Sequence, residues 1–186
     1  MVKKFILVFS GVFFVISGEA GAWKYNISAG YGRSKVFDYD YYHQGVMLDG
    51  QVFPFAKIDK TLIFGLGVSV ASWHASYPEN RSMATAALSA LFRAYFWPPE
   101  DSTAKLQPYL LASFGPAYLT KRKLGLREQG GHLSFQTTMG VGTEVEVAKK
   151  KLDFNLKFVH YCNGGIYKPN QGIDVWFIFS IGYLFG

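Results

Sequence analysis

Between His160 and Asp174 the chain carries an imidazole, a thiol two residues later, and a carboxylate a dozen residues beyond the thiol. Asn163, Gly164, Gly165, Pro169, Asn170 and Gly172 lie between, the composition of a turn. An imidazole beside a sulfur nucleophile, with a carboxylate to orient the ring, is a recipe for covalent ester hydrolysis. It requires closeness in space, and two strands joined by a hairpin supply that. The four histidines, His43, His74, His132 and His160, lack the spacing of metal ligands, so neither a metal nor a cofactor is implied.

The elements that must hold this hairpin are strands. Tyr25, Ile27, Ala29 and Tyr31 alternate with Asn26, Ser28, Gly30 and Gly32. The same period of two recurs in Val46–Val52, Leu62–Val70, Leu88–Phe96, Leu133–Val147 and Leu152–Phe158. Leu106–Leu119 and Ile173–Phe185 are apolar on both faces, so their parity stays open. About eight strands result, most near the ~9–11 residues that cross a membrane at a tilt. An even antiparallel count can close, which leaves no edge unpaired in lipid.

Composition bounds the class. Met1 to Ala22 reads as a secretory signal: Lys3 and Lys4, then an apolar run from Phe5 to Ile16, then Ala20-Gly21-Ala22 as the cleavage site. The mature chain, 23–186, is long enough for one domain. Aromatics reach 18% while charged residues fall to 17%, yet no later apolar run could span a bilayer as a helix. That combination suits an eight-stranded antiparallel β-barrel of the outer membrane or a secreted sandwich. The aromatic ending Ile181-Gly182-Tyr183-Leu184-Phe185 favours the barrel. The single cysteine excludes an internal disulfide framework. A net charge of +6 fits anionic lipid or phosphate; nucleic acid is not an expected partner of an exported chain.

With both termini periplasmic, the inner turns are Pro54–Thr61, Pro98–Lys105 and Lys149-Lys150-Lys151. The outer loops are Lys35–Tyr41, His74–Arg81, Thr120–Gly131 and the His160–Asp174 hairpin. Eight steps from Leu152 climb about 26 Å, which sets His160 near the outer rim. His160 and Cys162 share parity with Phe154, Leu156 and Phe158 and therefore point outward. The chemistry requires Asp174 to face outward too. Tyr161 and Tyr167 are expected in an interfacial aromatic belt.

At these residues the chain resembles the PagL family of lipid A 3-O-deacylases, eight-stranded outer-membrane barrels that hydrolyse an ester-linked acyl chain. The family's hairpin reads His-x-Ser-Asn and then Pro-Asn-x-Gly-Ile-Glu; here it reads His160-Tyr161-Cys162-Asn163 and Pro169-Asn170-Gln171-Gly172-Ile173-Asp174, with the same spacing. Similarity extends weakly through Leu106-Gln107-Pro108-Tyr109 and Gly140-x-Gly142, and covers in effect the C-terminal half. The resemblance implies His160 as general base, Asp174 as orienting acid and Cys162 in the nucleophile's place. It sets Asn163, Asn170 and the amides of Gly164 and Gly165 where oxyanion donors are expected. Cys162 replaces a serine and Asp174 is one methylene shorter than glutamate. A histidine-paired thiolate is a good nucleophile, so the set is expected to act through a thioester. Lys121, Arg122, Lys123 and Arg127 are candidates for the phosphates of lipid A, the expected substrate. Outer-membrane lipid is the surrounding partner, and a homodimer is allowed. The rival reading is an inactive barrel with a structural or surface-binding role; an acyltransferase is a third.

Overall fold

The computed structural model describes residues 3–9, 12–18, 23–57, 60–99 and 105–186. Strands β1 (Lys3–Phe9) and β2 (Val12–Gly18) pair with each other in a separate two-stranded ladder. The cleavage motif Ala20-Gly21-Ala22 lies outside the described residues. The remaining long strands are β3 (Lys24–Lys35), β4 (Tyr42–Lys57), β5 (Leu62–Ala75), β6 (Ser82–Tyr95) and β7 (Leu106–Leu119). After a small hairpin of β8 (Lys123–Leu124) and β9 (Arg127–Glu128) come β10 (Leu133–Val147), β11 (Lys150–Cys162) and β12 (Ile173–Phe185). Each long strand pairs antiparallel with its sequence neighbour, and β12 returns to β3, so the eight form a closed barrel. The expected Lys149-Lys150-Lys151 turn is tighter than the charge run suggests. Val147 pairs with Lys150, and Ala148 and Lys149 both take positive φ, at 50° and 66°, as a two-residue hairpin turn demands.

The wall is inverted relative to a water-soluble fold. Ile27, Leu48, Val68, Leu88, Leu110, Phe114, Val141, Leu156 and Ile181 are exposed on the outside. Asn26, Ser28, Asp49, Ser69, Ser89, Gln136, Asp153, Asn155 and Ser180 are buried within. The parity of β7 is settled as well: Gln107, Tyr109, Leu111 and Ser113 face inward, and Leu106, Leu110 and Phe114 outward. Its inner face looked apolar because it supplies Tyr109 and Leu111 to a packed cluster with Phe53, Ile63, Leu91 and Tyr95. A second apolar cluster, around Met47, Trp73, Met83, Leu119, Tyr161 and Ile178, fills the end that carries the long loops.

Between the clusters sit paired charges. Arg93 reaches Glu144 at 3.1 Å and Asp153 at 2.8 Å, and its guanidinium lies over the rings of Phe53 and Tyr109. Lys157 pairs with Asp49. The lumen is thus plugged by side chains. Buried charges are tolerated only when each is compensated. Arg93→Leu strands two carboxylates, and the barrel is expected to lose about 3–5 kcal/mol in urea titrations; an unchanged midpoint would refute the pairing.

Candidate functional site

β11 climbs to His160 and Cys162, and β12 descends from Asp174. His160 and Asp174 are cross-strand partners, with Nδ1 and Oδ1 2.6 Å apart. Both face the outside and are about a third exposed, at 31% and 28%. Cys162, two residues further along β11, lies on the same outer face as His160. The carboxylate accepts the Nδ1 proton, which leaves Nε2 as the ring's basic nitrogen.

This pairing depends on an irregularity in β12. Below the site Lys157 pairs with Ile178, and above it Val159 pairs with Val175, so β12 holds one extra residue. The bulge falls at Trp176–Phe177, where Phe177 has a φ of 60°. Continued without a break, the lower register would set Val175 opposite His160 and turn Asp174 inward. A bulge reverses the facing of the residues beyond it, and here it brings the carboxylate out beside the imidazole. Trp176 stacks on Phe158 at 4.0 Å and meets Phe37 edge-on at 5.8 Å, forming an aromatic flank next to His160.

From inside, β11 is pinned between His160 and Cys162. Tyr161 is fully buried, and its hydroxyl accepts from the Trp73 indole at 3.3 Å and contacts the Thr85 hydroxyl at 3.0 Å. The expectation of Tyr161 in an interfacial belt is therefore corrected: a residue between two outward-facing neighbours must point inward. Tyr167 is exposed at the loop tip.

The hairpin's polar groups largely serve its own shape. The Asn163 amide donates to Gln129 Oε1 at 3.1 Å and to Asn170 Oδ1 at 3.0 Å. Its carboxamide donates to the Tyr167 carbonyl at 2.8 Å and accepts the Gly165 amide at 2.9 Å. Asn163 and the Gly165 amide are thus engaged in the turn, as is the side-chain oxygen of Asn170. Asn163 and Gly165, expected as oxyanion donors, direct these N–H groups into the turn. Among the described residues the Gly164 amide makes no hydrogen bond within the fold. Gly164 and Gly165 both need positive φ, 64° and 80°, which explains them as turn glycines.

Two residues outside the expected set matter. Gln129, fully buried, bridges the third outer loop to the hairpin, donating to the Gln171 carbonyl at 2.6 Å while holding Asn163. Gly172 lies against the imidazole: a Cβ there would stand 2.5 Å from His160 Cε1. Its place in the Gly172-Ile173-Asp174 run was the available signal. Of the four loop cations, Arg127 donates to the Phe37 carbonyl at 3.0 Å and lies over Tyr39, and Lys123 pairs with Glu128 at 2.8 Å. Those two tie loops together. Lys121 and Arg122 are exposed and make no ion pair among the described residues.

The molecule is a small closed barrel with an imidazole–carboxylate pair and a thiol on its outer wall near the loop end. A family model described as lipid A 3-O-deacylase (PagL) matches residues 66–183, and the chain belongs to that family. The match begins within β5, further upstream than the C-terminal half in which the resemblance is visible by eye. The lipid A deacylase PagL of Pseudomonas aeruginosa is 26% identical over 74 residues, 40% of this chain and 41% of that protein. The aligned stretch thus spans less than half of that relative. The crystal structure of the outer membrane enzyme PagL superposes with a TM-score of 0.59 at 16% identity, over 88% of this chain and 99% of that one. Neisserial surface protein A superposes with a TM-score of 0.51 at 13% identity, over 87% of this chain and 95% of the other. Both likenesses speak to the fold.

Gly172→Ala is expected to push the His160 ring from the carboxylate. A displacement near 1 Å can cost on the order of 10² in rate. Ester hydrolysis should fall by that order while the thermal melt of the barrel is retained; wild-type turnover would contradict the contact.

Proposed function

We propose that the chain is a lipid A deacylase of the bacterial outer membrane, removing an ester-linked acyl chain, of the 3-O type, with Cys162 as nucleophile. The observation that carries this reading is the 2.6 Å His160–Asp174 contact on the barrel's outer face, with Cys162 two residues along β11 on that same face. Several features agree. The exposed apolar wall suits a hydrocarbon surround, and Tyr25, Phe185 and Tyr183 stack at the end opposite the long loops as an interfacial girdle would. Residues 1–22 serve as the export signal. The family model's description supplies the substrate class.

Asp174 holds the Nδ1 proton, and His160 Nε2 removes the proton from the Cys162 thiol. The thiolate attacks the acyl carbonyl, and the carbonyl oxygen becomes an oxyanion facing the Gly164 amide. Collapse breaks the bond to the sugar oxygen, which takes the proton back from the imidazolium and leaves as an alcohol. The acyl group remains on Cys162 as a thioester. Water, deprotonated by His160, attacks that thioester and releases the fatty acid and the free thiol. Lys121 and Arg122, the uncommitted loop cations, are the residues to meet the lipid A phosphates. The chemistry is complete in one copy, so a homodimer is no part of it.

Mass spectrometry of lipid A after incubation with the purified barrel tests this. Wild type should remove one hydroxyacyl chain, Cys162→Ala should remove none, and Cys162→Ser should regain activity. Unchanged lipid A with wild type, or equal cleavage by Cys162→Ala, would overturn the proposal.

A further inference from the structure

The β12–β3 ladder runs from Phe185 opposite Tyr25 to Phe179 opposite Tyr31 and ends there. The bulge at Trp176–Phe177 follows at once, so the segment that carries Asp174 has no ladder on its β3 side. Buried strand carbonyls need a partner all the same. The Asp174 carbonyl finds it in side chains: His43 Nδ1 at 3.1 Å and the Ser34 hydroxyl at 3.5 Å. A carbonyl can only accept, so the hydrogen bond to Asp174, the shorter of the ring's two carbonyl contacts, is made with the His43 proton on Nδ1.

His43 belongs to the inner wall. It stands on β4 opposite Ser34, is fully buried, and packs edge-on to Tyr41 with ring centroids 5.4 Å apart. Its Nε2 faces the Leu124 carbonyl of the third outer loop at 3.4 Å. The same ring thus touches the backbone of β12 and the loop hairpin that closes the barrel's end. The bland alternative is a core histidine that has merely satisfied its nitrogens. What distinguishes His43 is its choice of partner. It grips the backbone of the one residue whose carboxylate contacts His160, in the stretch where β3 supplies no ladder and only β11 pairs with the strand.

We infer that His43 is a positioning residue of the hydrolytic site: from inside the barrel it fixes the Asp174 backbone in the bulged register that lays the carboxylate on His160 outside. This rests on the deacylase reading above, but its structural half can be read without turnover. A histidine proton held by a carboxylate resonates at low field in proton NMR, and its absence from His160→Ala assigns it. His43→Leu removes the grip and keeps an apolar core; His43→Asn offers an amide N–H near the position of Nδ1.

In the full-length mature barrel, His43→Leu should lose the low-field resonance. Its kcat on lipid A should fall on the order of 10–100-fold, with KM within about twofold of wild type and the cooperative melt retained. His43→Asn should restore the resonance and most of kcat. Wild-type kcat and an intact resonance in His43→Leu would overturn the inference, as would equal impairment of the leucine and asparagine variants. An inactive wild type whose resonance still responds to His43 would sink the deacylase reading and leave the positioning role standing.

Discussion

The register of β12 against β11 is the constraint on which the site depends. One extra residue at Trp176–Phe177 decides whether a carboxylate or an isopropyl group stands opposite His160. The bulge places a non-glycine residue at positive φ, a conformation that persists only where surrounding contacts impose it. Here they are the stack of Trp176 on Phe158 outside, and inside the burial of Val175 and Ile178 against the apolar cluster. The outer face gains an imidazole–carboxylate pair, and the inner face keeps its packing. Fold and chemistry meet in this short segment.

The barrel is in effect two environments separated by one strand's thickness. Inside, charges are buried in compensated sets, Arg93 with Glu144 and Asp153, and Lys157 with Asp49. Outside, the wall is apolar, and the imidazole–carboxylate pair proposed to act on an ester lies near its loop end. β11 serves both sides: His160 and Cys162 project outward while Tyr161 between them anchors to Trp73 and Thr85. Rigid support of this kind is what a site on a strand can offer and a site on a free loop cannot. The hairpin beyond is held in turn by Gln129 and Asn163, so few degrees of freedom remain near the imidazole.

Much of this was legible in the sequence, for physical reasons. Alternation in β3, β5, β6, β10 and β11 arises from having one apolar and one polar environment, and it read cleanly. It failed in β7 and β12, where inward positions such as Tyr109, Leu111, Val175 and Ile178 are themselves apolar because they build the two interior clusters. The spacing of His160, Cys162 and Asp174 was plain, but the facing of Asp174 was not, since an aromatic residue at positive φ leaves no compositional trace. The turn residues were misjudged in another way. Asn163 and Gly165 have the right chemistry to donate to an oxyanion, yet the Asn163 carboxamide donates to the Tyr167 carbonyl and the Gly165 amide to Asn163 Oδ1. Gly172 was visible only as a turn glycine until the ring it accommodates was placed. Arg127 looked like a free cation because its partners, the Phe37 carbonyl and the Tyr39 ring, lie about 90 residues away in sequence and belong to another loop.

The most direct test of the account is the rate of lipid A deacylation by a barrel in which positions 174 and 175 are exchanged, Asp174→Val with Val175→Asp. Val175→Asn alone, which carries the shape of aspartate without its charge, serves as the control for a polar group at that interior position. If the bulged register holds, the exchanged barrel turns its carboxylate inward and loses deacylation to the level of Asp174→Ala, while the single variant, folded by its melt, retains activity. An exchanged barrel as active as wild type would mean that Val175 and not Asp174 stands beside His160, and the account of the site would fail with it.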